Sequence, residues 1–193
     1  MSDITAIGEL LIDFTPSGKN EWGVRLFAEN PGGAPTNVLA MAARLGGKTA
    51  FIGKVGPDAF GDFLRGVLVQ NGIDSSGLAV DGAAPTTLAF VQLDENGDRS
   101  FTVYRNPGAD QMLMEWEIKP ELIDNCQIFH FGSVSLTHEP SRSATLYAAQ
   151  HAKEQGKLVS FDPNLSGHAV GQRGGSPGAD QKGHCHCGRS EGV

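Results

Sequence analysis

Pro31-Gly32-Gly33-Ala34-Pro35-Thr36-Asn37 is the stretch whose reading decides the fold. Two adjacent glycines let the main chain approach a ligand with no Cβ in between. The residues after them open a helix, because Val38, Met41, Ala42 and Leu45 recur at i, i+3, i+4 and i+7. Gly46-Gly47 closes the helix, as glycine does just past a C-terminus. The first-turn N–H groups and the Asn37 amide then point into the space the glycines leave open. A bare Gly-Gly pair before a helix is more often a tight turn than a ligand site, so its neighbours decide.

Upstream, Ile4-Thr5-Ala6-Ile7-Gly8 reads as a buried strand running into Glu9 and Asp13. Residues 10–15 alternate loosely, as an edge strand does, and 16–23 are turn-like. Downstream, Thr49-Ala50-Phe51-Ile52-Gly53 is a second core strand. It leads through Lys54-Val55-Gly56-Pro57-Asp58 to a helix with Phe60, Phe63, Leu64, Val67 and Leu68 on one face. Strand and helix alternating at this spacing give a parallel sheet with crossover helices. The rhythm breaks at 86–105, where two alternating runs flank Asn96-Gly97, a hairpin signal. A two-strand ribbon has too little core of its own, so it must fold over a site as a lid or pair with another ribbon. The α/β pattern resumes with a strand at 127–132, whose His130 reads as a satisfied core residue. A helix follows from about Pro140 to Gln155, then a last strand at 157–161 ending in Asp162-Pro163-Asn164-Leu165.

A chain of 193 residues with 39% hydrophobic content can bury the core of one ordinary domain. Its formal net charge of −7 and the absence of a basic patch argue against nucleic acid and anionic membranes as partners. No apolar run is long enough to span a bilayer, and MSDITAIGEL has no basic leader region. Three cysteines are too few for a disulfide framework. The expected location is the cytoplasm.

Residues 166–193 depart from this grammar: they hold eight of the 26 glycines and no Leu, Ile, Phe or Met. Such a segment cannot bury enough apolar surface to offset its ordering entropy. Read from the second nucleotide of the Ser166 codon, permitted codons can spell RATLWDSVEEAREQIKKGIAIADVVK, an amphipathic helix followed by an apolar strand. The expectation is a reading-frame slip, which makes 166–193 a non-native, disordered tail. His184-Cys185-His186-Cys187 has soft ligands but lacks the turn that separates zinc ligands, so no metal site is assigned.

With these motifs placed, the chain resembles the ribokinase-like (PfkB) sugar kinases, most closely the fructokinases. The resemblance rests on Gly8-Glu9-Leu10-Leu11-Ile12-Asp13, on the Gly-Gly stretch through Val38, and on Phe51 to Gly61. It continues through Tyr104-Arg105-Asn106-Pro107-Gly108-Ala109-Asp110, Phe129-His130-Phe131-Gly132-Ser133 and Asp162-Pro163-Asn164-Leu165. It implies a three-layer α/β/α sandwich with a small β lid built from about 10–30 and 86–105, residues 1–165 being the N-terminal part of a sugar kinase domain. The implied activity is ATP-dependent phosphorylation of a sugar hydroxyl, with ATP and Mg2+ as cofactors and fructose as acceptor. It leaves room for a homodimer through the lid.

The resemblance gives the residues roles that their chemistry suits. Asp13 would accept bonds from two neighbouring hydroxyls, Gly32 and Gly33 would bring main-chain N–H groups to the ring, and Asn37 can donate and accept at once. Lys54 would contact the sugar or solvate a loop. Arg105 would set a fixed cation over the sugar, with Phe101 and Tyr104, beside Phe90, as an apolar wall. Asp162 and Asn164, at a strand's carboxyl end where α/β sheets place ligands, would lie near the nucleotide phosphates and metal.

The departure from the family pattern is the catalytic base. The family places it, with the anion-holding N–H groups, in a Gly-Ala-Gly-Asp segment at a helix N-terminus. Pro107-Gly108-Ala109-Asp110 belongs to the lid motif, and Pro177-Gly178-Ala179-Asp180 lies in the aberrant tail. No catalytic residue is therefore assigned: the chain is expected to keep the sugar side and to lack the base and the nucleotide pocket. The rival readings are a 2-keto-3-deoxygluconate kinase, whose acidic substrate would also use Arg105, and a non-catalytic sugar-binding fragment.

Overall fold

Short apolar runs alternating with helical ones do produce a parallel sheet. The computed structural model describes residues 1–93 and 99–164. In chain order it contains β1 (Ser2–Ile7), β2 (Leu11–Lys19), β3 (Arg25–Gly32), α1 (Ala34–Arg44), β4 (Thr49–Val55), α2 (Ala59–Gln70) and β5 (Ile73–Val80). Then come β6 (Leu88–Leu93), β7 (Arg99–Tyr104), α3 (Pro120–Asp124), β8 (Cys126–Gly132), α4 (Ser141–Glu154) and β9 (Leu158–Asp162). The expectations for the turn at 94–98, for the tail 166–193, for the look-alike at 177–180 and for the His-Cys run at 184–187 lie outside the described residues.

Five strands form an all-parallel sheet in the order β5-β4-β1-β8-β9. Helices cover both of its faces, which is why β4 is buried at every position. On one face, Leu39 of α1 and Leu64 and Leu68 of α2 pack with Ala6, Phe51 and Leu78. On the other, Ile123 of α3 and Ala144, Ala148 and Ala152 of α4 pack with Ile7, Ile52 and Phe129. Small alanines at i, i+4 and i+8 let α4 lie close to the strands. This is the expected α/β/α sandwich.

A second sheet of order β3-β2-β6-β7 stands on it. The 86–105 ribbon joins β2 in parallel, Ile12 to Leu88 and Phe14 to Phe90. The strand at 10–15 is not an edge strand, and 16–19 are not turn. β2 runs on to Lys19 with β3 on one side and β6 on the other. The turn is confined to residues 20–24, where Asn20 Oδ1 accepts from the Trp22 and Val24 N–H groups. Pro16 and Gly18 masked the strand in sequence, and the register with β3 shifts there, between Pro16 and Lys19.

The helix after the glycines also turns out differently. It is there, but the stripe that revealed it points outward: Val38, Met41 and Leu45 are 38%, 57% and 82% exposed. Pro35, Thr36 and Leu39 face in instead. On α2 likewise Phe63 is partly exposed while Gly61, Leu64 and Leu68 are buried. A helix rich in small apolar residues has more than one apolar stripe, and periodicity alone does not say which is inside. No helix among the described residues is long and apolar enough to cross a membrane.

Candidate functional site

The site begins at the carboxyl end of β1, where the chain leaves the central sheet for the second one. Gly33, the residue before α1, has φ +126°, a conformation that L side chains rarely adopt. A Cβ there would collide with the Glu9 carbonyl and stand 2.9 Å from Thr36 Oγ1. At Gly32 a Cβ would collide with the Asp13 carboxylate. Both glycines therefore answer a close approach, and Gly32 marks the place where bare backbone meets an acidic side chain.

The first turn of α1 has no side-chain cap from its own N-terminal residue. Glu9 Oε1 accepts from the Ala34 N–H at 2.9 Å, and the Asn37 N–H makes the first bond of the helix, to the Gly33 carbonyl at 3.0 Å. Thr36 Oγ1 donates to the same carbonyl at 2.9 Å. Asp13 sits on β2 opposite Asn30 and Ala89. Burial pushes its carboxyl above the usual aspartate range.

Arg105 directly follows β7 and is tied to Asp110, through Nε at 2.8 Å and Nη2 at 2.5 Å. Asp110, its side chain 1% exposed, also accepts from Thr87 Oγ1 at the foot of β6. Glu9, 4% exposed, lies near this pair. Desolvation raises its carboxyl pKa, Asp110 pushes the same way, and the Ala34 N–H and the Arg105 charge oppose the shift. Its Oε2 is buried without a hydrogen-bond partner.

Gly32 thus meets Asp13, and Gly33 meets Glu9; Asn37, exposed on the first turn of α1, is tied to this corner through its main chain alone. Lys54 is spent elsewhere. Its ammonium, buried with the side chain, bonds the Met112 carbonyl at 3.1 Å, Glu117 at 2.8 Å and Asp81 at 3.0 Å. Three donors are used by three partners, so the reading of Lys54 as a ligand contact gives way to a structural ion cluster.

Phe101 and Tyr104 cannot line one wall. The strand register puts Phe101, with Val103, on the face that carries Asp13, whereas Tyr104 shares the opposite face with Phe14 and Phe90. Tyr104 packs edge-on against Phe90, which stacks on Phe14. Asp162 and Asn164 stand at the carboxyl end of β9, the Asn164 N–H donating to Asp162 Oδ1 at 3.1 Å. His130 is buried and paired with Ser160 Oγ at 3.0 Å.

Sequence reading passed over Glu9, Thr87 and Asp110. Glu9 was visible as a carboxylate directly after a strand-ending glycine, yet nothing local distinguishes it from a solvated loop acid. Its hydrogen-bond partner, the Ala34 N–H, lies 25 residues away in sequence. Among the described residues no group of three or more His, Cys, Asp or Glu side chains is arranged to hold a metal ion.

Residues 1–173 match the profile of the pfkB family carbohydrate kinases. The chain is 49% identical over 167 residues to probable fructokinase-3 of Arabidopsis thaliana, the match covering 84% of the chain and 48% of that protein. To fructokinase-1 of Oryza sativa subsp. japonica it is 49% identical over 164 residues, covering 84% of the chain and 51% of the relative. The chain spans about half the length of the curated relatives it matches. Among solved structures, fructokinase from Xylella fastidiosa superposes with TM-score 0.84 at 35% identity, over 92% of this chain and 55% of that one. Fructokinase from Vibrio cholerae O395, in its fructose, ADP and calcium ion bound form, gives 0.75 at 39% identity, over 86% and 51%.

Proposed function

The chain belongs to the pfkB family carbohydrate kinases, and from that premise we propose that residues 1–165 carry the sugar-recognising part of an ATP-dependent kinase whose acceptor is fructose. The observation that carries the reading is the corner where Gly32 leaves no room for a Cβ beside the Asp13 carboxylate. A sugar is a ring of hydroxyls, and it needs an acceptor, main-chain donors and an amide within one ring's reach. Asp13, the Gly32-Gly33 backbone and Asn37 supply those three. The fructokinase names of the relatives support fructose. So does Arg105: its pairing with Asp110 suits a neutral sugar better than the carboxylate of 2-keto-3-deoxygluconate.

The chemistry needs a phosphoryl donor, which ATP with Mg2+ would supply. Asp162 suits the metal–phosphate side of that chemistry, standing at a strand's carboxyl end, where among the described residues only Oδ1 is engaged, by the Asn164 N–H. Asn164 would orient it. The base and the nucleotide pocket are not carried by the described residues on this reading. Asp110, in the segment that looks most like the family's base, is buried and already holds Thr87 and Arg105. The face of the second sheet that bears Asp13 also exposes Leu26, Phe101 and Val103, enough apolar surface to close over the sugar or against a second copy. The cytoplasm is the proposed location.

Calorimetric titration of residues 1–193 with fructose, ribose, glucose and 2-keto-3-deoxygluconate tests this, alongside an ATP-coupled phosphorylation assay. Fructose binding without turnover is expected. Preference for the acidic sugar would overturn the substrate, and robust ATP-dependent turnover would overturn the missing base.

A further inference from the structure

Glu9 is the buried ionisable group that the reading above does not use. Three observations single it out. Its side chain supplies the acceptor for the Ala34 N–H, at the start of a helix that has no cap of its own. Its backbone carbonyl occupies the space a Gly33 Cβ would need. Its second carboxyl oxygen is buried without a hydrogen-bond partner, within electrostatic reach of Arg105 and Asp110.

We propose that Glu9 is the positioning residue of this corner: it holds the Gly32-Gly33 turn against α1 through Ala34 and links that turn to Arg105 at the foot of the lid. The inference deepens the sugar-site reading and rests on it for its effect on binding. Its effect on the turn stands independently.

The physical case is one of burial and satisfaction. A carboxyl 4% exposed persists only if its environment gives it partners or keeps it neutral. Here one oxygen is bonded and the other is not, and the titratable groups facing it are Arg105 and Asp110. Asp110 already holds the guanidinium through Nε and Nη2, so Glu9 is the carboxyl left to carry a proton. In that form it keeps Ala34 on Oε1 and leaves the Arg105–Asp110 pair undisturbed. The folded state therefore favours protonated Glu9, because burial outweighs the Ala34 N–H bond, and the stability this corner contributes is lost as pH rises through the raised folded-state pKa.

The test uses the whole chain and two variants, Glu9→Ala and Glu9→Gln. The first readout is hydrogen exchange at the Ala34 amide, corrected for intrinsic chemistry, across pH 5 to 9. The second is fructose titration under the same conditions. Glu9→Ala should lower Ala34 protection about tenfold, the value of one hydrogen bond, and weaken fructose binding by at least as much. Glu9→Gln keeps an acceptor and cannot ionise. It should hold wild-type fructose affinity within about threefold and abolish the pH dependence of Ala34 protection that the wild type shows. A Glu9→Gln profile that falls with pH as the wild type's does overturns the inference, even if the alanine variant fails to fold. Unchanged Ala34 protection in Glu9→Ala overturns it too. A wild type that binds no fructose refutes the sugar reading alone, and the exchange data then decide on Glu9.

Discussion

Adding one methyl group at Gly32 and at Gly33 in turn should give opposite outcomes, although the two are neighbours. At Gly33 the obstacle is backbone, the Glu9 carbonyl, and φ is +126°. Forcing that conformation on alanine costs about 1–3 kcal/mol, and an overpacked contact that cannot rotate away adds about 1–3 kcal/mol. At about 2–4 °C per kcal/mol for a domain of this size, Gly33→Ala should lower Tm by about 10 °C. At Gly32 the obstacles are the ends of side chains, Asp13 Oδ2 and, at 2.8 Å, Leu11 Cδ1. Rotating the Asp13 carboxylate aside costs about 0.5–1.5 kcal/mol, so Gly32→Ala should melt only a few degrees low. It should nevertheless bind fructose about ten- to a hundredfold more weakly, because each charge-assisted bond from the displaced carboxylate is worth about 1.5–3 kcal/mol. Scanning calorimetry and fructose titration on both variants read the two effects separately. A Gly33→Ala protein that melts with the wild type, or a Gly32→Ala protein with full affinity, would refute the geometry of the corner.

Asp13→Asn should abolish fructose binding yet raise Tm at neutral pH, since burial makes the ionised Asp13 a cost to the fold; an unchanged or lower Tm in calorimetry counts against this. Lys54→Met leaves Asp81 and Glu117 facing each other across a buried gap and should destabilise the chain by about 3–5 kcal/mol in urea melts. The effect should be on stability, with fructose affinity unchanged wherever the protein is folded. Burial lowers the His130 pKa, so the unfolded chain takes up that proton first and stability should fall as pH drops below the ordinary histidine value. Replacing His130 by Gln should flatten that acid limb, measured as Tm against pH.

The sheet was legible because its strands are short, apolar and punctuated. Ile4 to Ile7, Phe51 and Ile52, and Phe129 are apolar on both faces, as a doubly covered parallel sheet requires. β5 was not legible: Asp74, Ser75, Ser76 and Gly77 interrupt its pattern, and it is a strand because β4 offers it a free edge. In the candidate corner, the Gly32-Gly33 turn and the helix start after it were legible because their signals are local. Lys54 was misread because its partners, Asp81 and Glu117, are far away in sequence. Phe101 and Tyr104 were misread together because the faces of a strand are fixed only once its register is known.

β1 lies in the middle of the sheet, and its two neighbours come from distant parts of the chain: Ile4 pairs with Thr49 on one side and with Ile128 on the other. β1 is thus synthesised well before the neighbour that completes its setting. At about 5–20 residues per second, roughly 6–25 s pass between synthesis of Ser2 and of its partner Cys126. During that interval one edge of β1 is an open ledge, carrying Ala6 and Ile7, which end fully buried. Nascent chains halted before Cys126 should therefore be captured by holdase chaperones and cut readily by proteases, whereas chains that have emerged past Gly132 should resist both.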